Sequence, residues 1–281
     1  MSEAQITYIE SEPSSAGVFL GEYWRYRDLL YFLTWRDVKV RYKQTLLGVS
    51  WAVLVPLTQM LIFGVIFGKV AKLPSNGLDP FVFYLCALVP WQFFANAMTA
   101  SSGSLVAQSN LLTKVYFPRL FIPVSACVAS GIDFAISFAM MLLVILGFGI
   151  VPADTLILTL PIIGLFFLNA VGAGTLFAAL AVRYRDIRFV VPVLVQIWMY
   201  ASVLLPFSQL PESWGVWRYL YALNPLVGEI EAFRWCLVHH EMIDASPPLM
   251  LLALGMPATV MLLVVGLRYF HRMERKFADA V

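Results

Sequence analysis

Reactive and ionisable side chains are scarce in this chain. Asp, Glu, Lys and Arg make up only 13% of the 281 residues, and there are three cysteines and three histidines. Cys86, Cys127 and Cys236 are too few and too scattered for a disulfide framework or a metal cluster, so they read as small apolar residues. His239 and His240 are adjacent rather than spaced for a shared metal, and HExxH, CxxC and GxSxG are all missing. That removes the usual zinc hydrolase, dithiol redox and serine hydrolase readings and leaves no catalytic residue and no metal site to name. Residues 1–20 hold Glu3, Glu10 and Glu12 but no Lys, no Arg and no apolar core, so they read as neither a signal peptide nor a transit peptide. A loosely ordered tail is expected over 1–21.

What the chain has instead is apolar length. Apolar residues make up 60% of it and the mean hydropathy is +0.80, far from soluble globular averages. The change of solvent is abrupt within RDVKVRYKQTLLGVSWAVLVPLTQMLIFGVIF, at 36–67: nearly every second residue is charged up to Lys43, and none is ionisable from 44 to 68. Residues 46–68 form one helical crossing of about 34 Å at about 1.5 Å per residue, against a hydrocarbon core of about 30 Å. Only a helix satisfies its own backbone there. Five further stretches, at 81–101, 120–148, 155–182, 189–206 and 245–267, predict six spans and an all-α integral membrane fold. The fifth is the shortest, and Pro192 and Pro206 predict a kink or break in it.

Charge placement predicts orientation. With the N-terminus inside, cytoplasmic segments collect fifteen Lys and Arg and outer loops only Lys69, Lys72, Arg218 and Arg234, which places both termini in the cytoplasm. Residues 22–44 read as an amphipathic interface helix, with Arg25, Asp28, Arg36, Lys39 and Lys43 on one face and Tyr26, Leu30, Leu33 and Val40 on another. A six-span domain follows over 45–270, then a cytoplasmic tail over 271–281. The inner segment SSGSLVAQSNLLTKVYFPR, at 101–119, is a polar turn and a short amphipathic piece ended by Pro118. The outer loop at 207–244 is rich in Trp and Tyr. Within it Asn224-Pro225 is a helix start, Leu226, Ile230, Phe233 and Leu237 form one face, and Glu229, Glu231 and Arg234 take the other. That pattern predicts a short helix resting on or dipping into the outer leaflet.

Two features invite chemistry. GVIFGKV at 64–70 looks like a phosphate loop, but it has three residues between its glycines where four are needed, and Val70 stands where a hydroxyl is required. Small residues four apart at the end of a span fit close helix packing better, so no nucleotide site is expected in this chain. Asp133 is the one ionisable residue deep in a span. It reads as a proton or cation site, or as a structural hydrogen-bonding group in a polar set with Ser130, Ser137 and the amides Gln59, Asn96, Asn169 and Gln196. The second reading is preferred, because no other intramembrane charge accompanies it. Trp51, Trp91, Phe93, Phe94, Trp198 and Tyr200 also fall within spans. They are either interfacial and lipid-facing bulk, or flat surfaces for sugar rings.

Four separated stretches in order on a six-span topology, RDVKVRYKQTLLGVSWAVLVPL, FFANAMTASSGSLVAQSNLLTKVYFPRLFIP, RYRDI and YALNPLVGEIEAFRW, resemble a known family. They resemble the membrane subunits of ATP-binding-cassette exporters of bacterial surface polysaccharide. The resemblance implies a homodimer in the cytoplasmic membrane with two copies of a separate ATPase, which supplies ATP and Mg; no nucleic acid is involved. It implies an ATPase-docking surface at Arg36, Lys39, Arg41, Asn110, Leu111, Lys114, Phe117, Pro118 and Arg119. A channel lined by spans one, two and five would bring Trp51, Trp91, Phe94, Trp198 and Tyr200 to a lipid-linked polysaccharide. Outer gate helices at about 211–222 and 225–238 would carry Trp214, Trp217, Asn224, Pro225, Glu231 and Arg234. One departure is Ser202-Val203 where the family commonly has Ser-Pro. The alternatives are an ATP-driven drug or lipid permease, an ion-coupled transporter built on Asp133 and, weakest, a membrane glycosyltransferase.

Overall fold

The structure, a computed structural model, describes residues 26–43, 48–109, 117–204, 207, 210–244 and 246–274. Among the described residues there are nine α-helices: α1 (Arg27–Tyr42), α2 (Trp51–Phe63), α3 (Pro80–Ala107), α4 (Phe121–Gly147), α5 (Thr159–Arg183), α6 (Ile187–Val203), α7 (Val216–Ala222), α8 (Pro225–Val238) and α9 (Leu249–Glu274). There is no strand among the described residues.

Among the described residues, five segments are long and apolar enough to cross a membrane: Gly48–Val70, Pro80–Ala107, Phe121–Gly147, Asp154–Arg183 and Leu249–Glu274. The chain is thus an all-helical, multi-pass membrane protein. The sixth apolar helix, α6, has 17 residues. At about 1.5 Å each it falls a few ångströms short of a hydrocarbon core of about 30 Å. It runs on through Pro192, and Pro206 lies outside the described residues. The last helix is the largest change from the expected bounds. It continues beyond 267 to Glu274, because Arg268, His271 and Arg272 end the apolar run without breaking the helix.

The centre of the bundle is α3. Asp79 accepts from the Phe81 amide and Pro80 occupies the first turn, an N-cap that uses the unpaired donors of a helix start. In its most apolar 18-residue stretch 83% is buried, against 22% for the first and last spanning segments. Helices α2, α4, α5, α6 and α8 all pack on it. The outer faces of α2 and α9, including Leu61, Ile62, Met261 and Val265, stay exposed, which costs nothing in lipid. Gly64 and Gly68 lie in the wide final turn Gly64–Val70, and a Cβ on either would run into Phe81 or Pro80. The phosphate-loop lookalike is a packing notch.

The outer loop folds inward as a re-entrant pair, α7 and α8. Near the bundle end the Leu237 carbonyl accepts from the Ala153 amide at 2.8 Å, and Thr155 donates to the Cys236 carbonyl at 3.0 Å. Deeper, Glu229 meets Asn169, ten residues and about 15 Å into α5. So α8 runs antiparallel to α5, and Pro225 is its deep end, packed on Gly255 of α9. All of α8 except Glu231 and Trp235 is buried. The helix expected to rest on or dip into the outer leaflet sits within the bundle, and Glu229 and Arg234 point into protein, where each finds a partner.

That seat requires Gly228. A Cβ there would lie 2.7 Å from the Leu251 carbonyl oxygen, whereas one on Gly131 would meet nothing within 4 Å. Gly228→Ala is expected to lower the thermal midpoint of the purified chain, an overpacking cost of about 1–3 kcal/mol. Gly131→Ala is expected to leave the midpoint unchanged or raise it, since Ala favours helix by roughly 0.5–1 kcal/mol. Equal effects of the two would contradict the close approach of α8 and α9.

Candidate functional site

At the end of the bundle where α1 lies, five helices share one apolar cluster. Leu33 of α1, Leu105 of α3, Phe121 and Ile122 of α4, Ala178 of α5 and Phe270 of α9 meet there, with Phe117 from the segment before α4. Arg119 donates to the Glu274 carbonyl and so closes the exposed end of α9. Of the residues expected to receive an ATPase, Asn110, Leu111 and Lys114 lie outside the described residues. Phe117 is buried, and Pro118 and Arg119 lead into α4. Leu105, before those residues, and Phe117, after them, both belong to the cluster.

Helix α1 does not have two simple faces. Tyr26, Leu29, Leu30 and Leu33 pack inward, while Val40, expected to join them, is exposed together with Tyr31 and Phe32. Along α4 the contact continues in polar groups: the Ser125 hydroxyl reaches Asp37 at 3.3 Å, and Arg41 reaches Ser130 at 3.4 Å. Arg41 Nη1 and the Tyr42 hydroxyl both donate to Asp133. Arg41 is thus turned into the bundle rather than out toward a partner. Arg36 pairs with its neighbour Asp37 at 2.7 Å. Lys39 is the exposed cation of the three, its ammonium 5.4 Å from the Trp35 ring centre.

The intramembrane polar residues do not converge on one site. Asp133 and Asn96 line a cavity of about 230 Å³ with Arg41, Tyr42, Trp51 and Gln92, and Gln92 Nε2 donates to Asn96 Oδ1 at 2.8 Å. Asn169 pairs separately with Glu229, Gln196 is exposed on α6, and Gln59 is half-buried on α2. The Arg41–Asp133 pair was missed because the two residues are 92 positions apart. The available signal was the position of Arg41 three residues before an uncharged run that starts at 44, where a long cationic side chain can reach into the bundle.

The aromatic residues separate into two groups. Trp51 and Tyr200 are 53% and 48% exposed, but Trp91 is 2% exposed and Phe94 is 0% exposed. Phe94 lies between Trp91, at 5.5 Å, and Trp198, at 5.1 Å. Helix α6 covers that face of α3, so in this arrangement Trp91 and Phe94 are core residues rather than part of an open wall. Trp198 is half-buried and its indole N–H donates to Asn224 Oδ1 at 2.9 Å.

Asn224 ties the tip of the re-entrant pair to α6. It caps α8 through the Leu226 amide and donates to the Ser202 hydroxyl at 2.8 Å. Further up α8, Arg234 pairs with Glu231 at 2.9 Å and lies 3.8 Å from the Phe83 ring centre. Glu231 also accepts from the Phe207 amide at 3.3 Å. Trp214 and Trp217 stay exposed before α8. Glu229, which the sequence pattern placed opposite the apolar face, is 2% exposed and takes hydrogen bonds from Asn169 and Thr259. Burial pushes its carboxyl well above the usual carboxylate range.

Comparison with known proteins follows the same map. The chain is 29% identical over 263 residues to the O-antigen export system permease protein RfbA of Myxococcus xanthus, covering 92% of this chain and 98% of that protein. It is 29% identical over 254 residues to the protein of the same name from Klebsiella pneumoniae, covering 90% and 94%. Over 204 residues it is 26% identical to the polysialic acid transport protein KpsM of Escherichia coli, covering 71% and 77%. Residues 28–238, from α1 through the end of α8, match the profile of the ABC-2 type transporter family, and the chain belongs to that family.

Proposed function

We propose that this chain is the channel-forming permease subunit of an exporter that moves a lipid-linked, O-antigen-like polysaccharide across the bacterial cytoplasmic membrane. The observation that carries the reading is its likeness, over nearly the full length of both chains, to proteins named as O-antigen export permeases. Two copies face each other around the path, and each receives a separate ATPase subunit that binds ATP and Mg. Both termini lie in the cytoplasm, in line with fifteen Lys and Arg on that side against four outside. ATP binding does work on the channel only if the ATPase favours one arrangement of it. Phe117, buried in the five-helix cluster just before α4, is the natural point of leverage. On the other side the re-entrant pair α7 and α8, pinned by Asn224, is the gate.

One observation favours a second reading, an ATP-driven permease for a drug or lipid. The exposed face of α6 is largely aliphatic, with Val193 and Ile197 beside Tyr200, while Trp91 and Phe94 are sealed. Accumulation of an undelivered polymer inside cells lacking the chain separates the two readings.

A tagged chain extracted in mild detergent is expected to retain a soluble ATPase in equal copy number. Lys39→Glu, at an exposed position, is expected to weaken retention severalfold without loss of folded permease. Absence of any ATPase across several detergents would sink the exporter reading. For Asp133, the pairing with Arg41 makes a brace rather than an ion path. Asp133→Asn leaves a cation without its partner and is expected to lower the yield of folded protein. The cost is below the roughly 3–5 kcal/mol of a fully buried pair, because the Arg41 side chain is 31% exposed. The double change Arg41→Gln with Asp133→Asn is expected to recover yield and export; folded double-variant protein that exports nothing would return Asp133 to the transport chemistry.

A further inference from the structure

Two buried oxygens at a single contact lack partners. Asn169 Nδ2 donates to Glu229 Oε1 at 2.6 Å, and the other oxygen of each group, Asn169 Oδ1 and Glu229 Oε2, is buried without a hydrogen bond. A carboxylate and an amide carbonyl are both acceptors only, so neither can satisfy the other. A neutral carboxylic acid changes this. An amide facing a carboxylic acid closes a ring of two hydrogen bonds, amide N–H to acid carbonyl and acid O–H to amide carbonyl. The first of these is in place. A single proton on Oε2 supplies the second and removes both unpaired atoms at once.

The charges around the contact point the same way. Glu229 is 2% exposed, and an ionised carboxylate in such a place requires a paired cation. From α5 the only titratable group is Arg183 at its far end, and α9 offers none before Arg268. Helix α3 contributes Tyr84 and Cys86, and α6 contributes Arg188 at its start and Tyr200 near its end. Helix α7 carries Arg218, Tyr219 and Tyr221; Asp154 precedes α5, and His239, His240 and Glu241 follow α8. On α8 itself Arg234 is engaged with Glu231 and the Phe83 ring, and Cys236 carries no charge to offer. Among the described residues, the side chains that hydrogen-bond Glu229 are the neutral Asn169 and Thr259.

We propose that Glu229 and Asn169 form a proton-binding site, a neutral acid–amide ring that fastens α8 to α5 while the re-entrant pair is seated. The ring rests on geometry and charge alone; reading its loss as gate opening rests on the function proposed above. Movement of α8 that admits water removes the burial that holds the proton, and the acid then ionises to solvent. The seated form binds one more proton than the opened form. It is therefore favoured as pH falls and lost as pH rises.

The test uses the full-length chain in phospholipid vesicles and infrared spectroscopy in H2O and D2O. The parent minus Glu229→Gln difference at neutral pH is expected to show one protonated carboxyl stretch that shifts in D2O and is lost in the variant. Gln replaces the O–H donor with N–H, so the variant keeps both hydrogen bonds and is expected to match the parent in thermal midpoint. Should the variant fold poorly, glutamate isotope labelling of the parent reports the same band. A carboxylate signature for Glu229 at neutral pH overturns the site, whatever the chain exports. For the latch, Cys86→Ala and Cys127→Ala leave the buried Cys236 of α8 as the reporter, with thiol reagent on both faces. Alkalinisation is expected to speed its labelling more steeply in the parent than with Glu229→Gln, where ionisation of the thiol is the shared background. Equal slopes overturn the latch.

Discussion

In hydrocarbon a polar group has no water to fall back on, and every structural feature of this protein follows from where each one finds a protein partner. Backbone groups are satisfied by helix formation. Side chains are satisfied across helices, and these few bonds set the arrangement of otherwise interchangeable apolar rods. Asp133 takes Arg41 and Tyr42 from α1, Glu229 takes Asn169 from α5, and Trp198 and Ser202 of α6 take Asn224. Arg234 finds Glu231 and the Phe83 ring.

In the function proposed above, one end of the molecule receives force and the other yields to it. Around Phe117 and Phe121 five helices converge on one apolar cluster, so displacement of Phe117 bears on α1, α3, α4, α5 and α9 together. At the other end α8 is packed into the same apolar core as α3 through Leu226, Ile230, Phe233 and Leu237, and a few polar contacts fix its position within it. The rigid centre between the two ends is what makes coupling between them mechanically reasonable.

Much of this was legible in the sequence. The spans follow from apolar length, and the start of α8 follows from Asn224-Pro225, because these are local properties of a chain in lipid. Helix ends were less legible: α9 outruns its apolar stretch because Arg268 and Arg272 change the solvent but not the helix. The depth of α8 was hidden because a local pattern shows that Glu229 and Arg234 share a face but not what that face meets, and only the fold brings Asn169 and Phe83 to them. Trp91 and Phe94 misled in the opposite sense. Their ring faces suit sugar, but coverage by α6 depends on packing that no local pattern encodes. The pair Arg41 and Asp133 needed two segments to meet that are far apart in sequence.

The claim that organises the whole reading is that this chain carries a finished, lipid-linked polymer outward. The most direct measurement is to remove the chain from its own cell, supply it again, and locate the polymer on either side of the cytoplasmic membrane. The expected result is polymer trapped on the cytoplasmic face without the chain and delivered outward when it returns. Polymer that reaches the surface equally well in both cells would contradict the exporter reading.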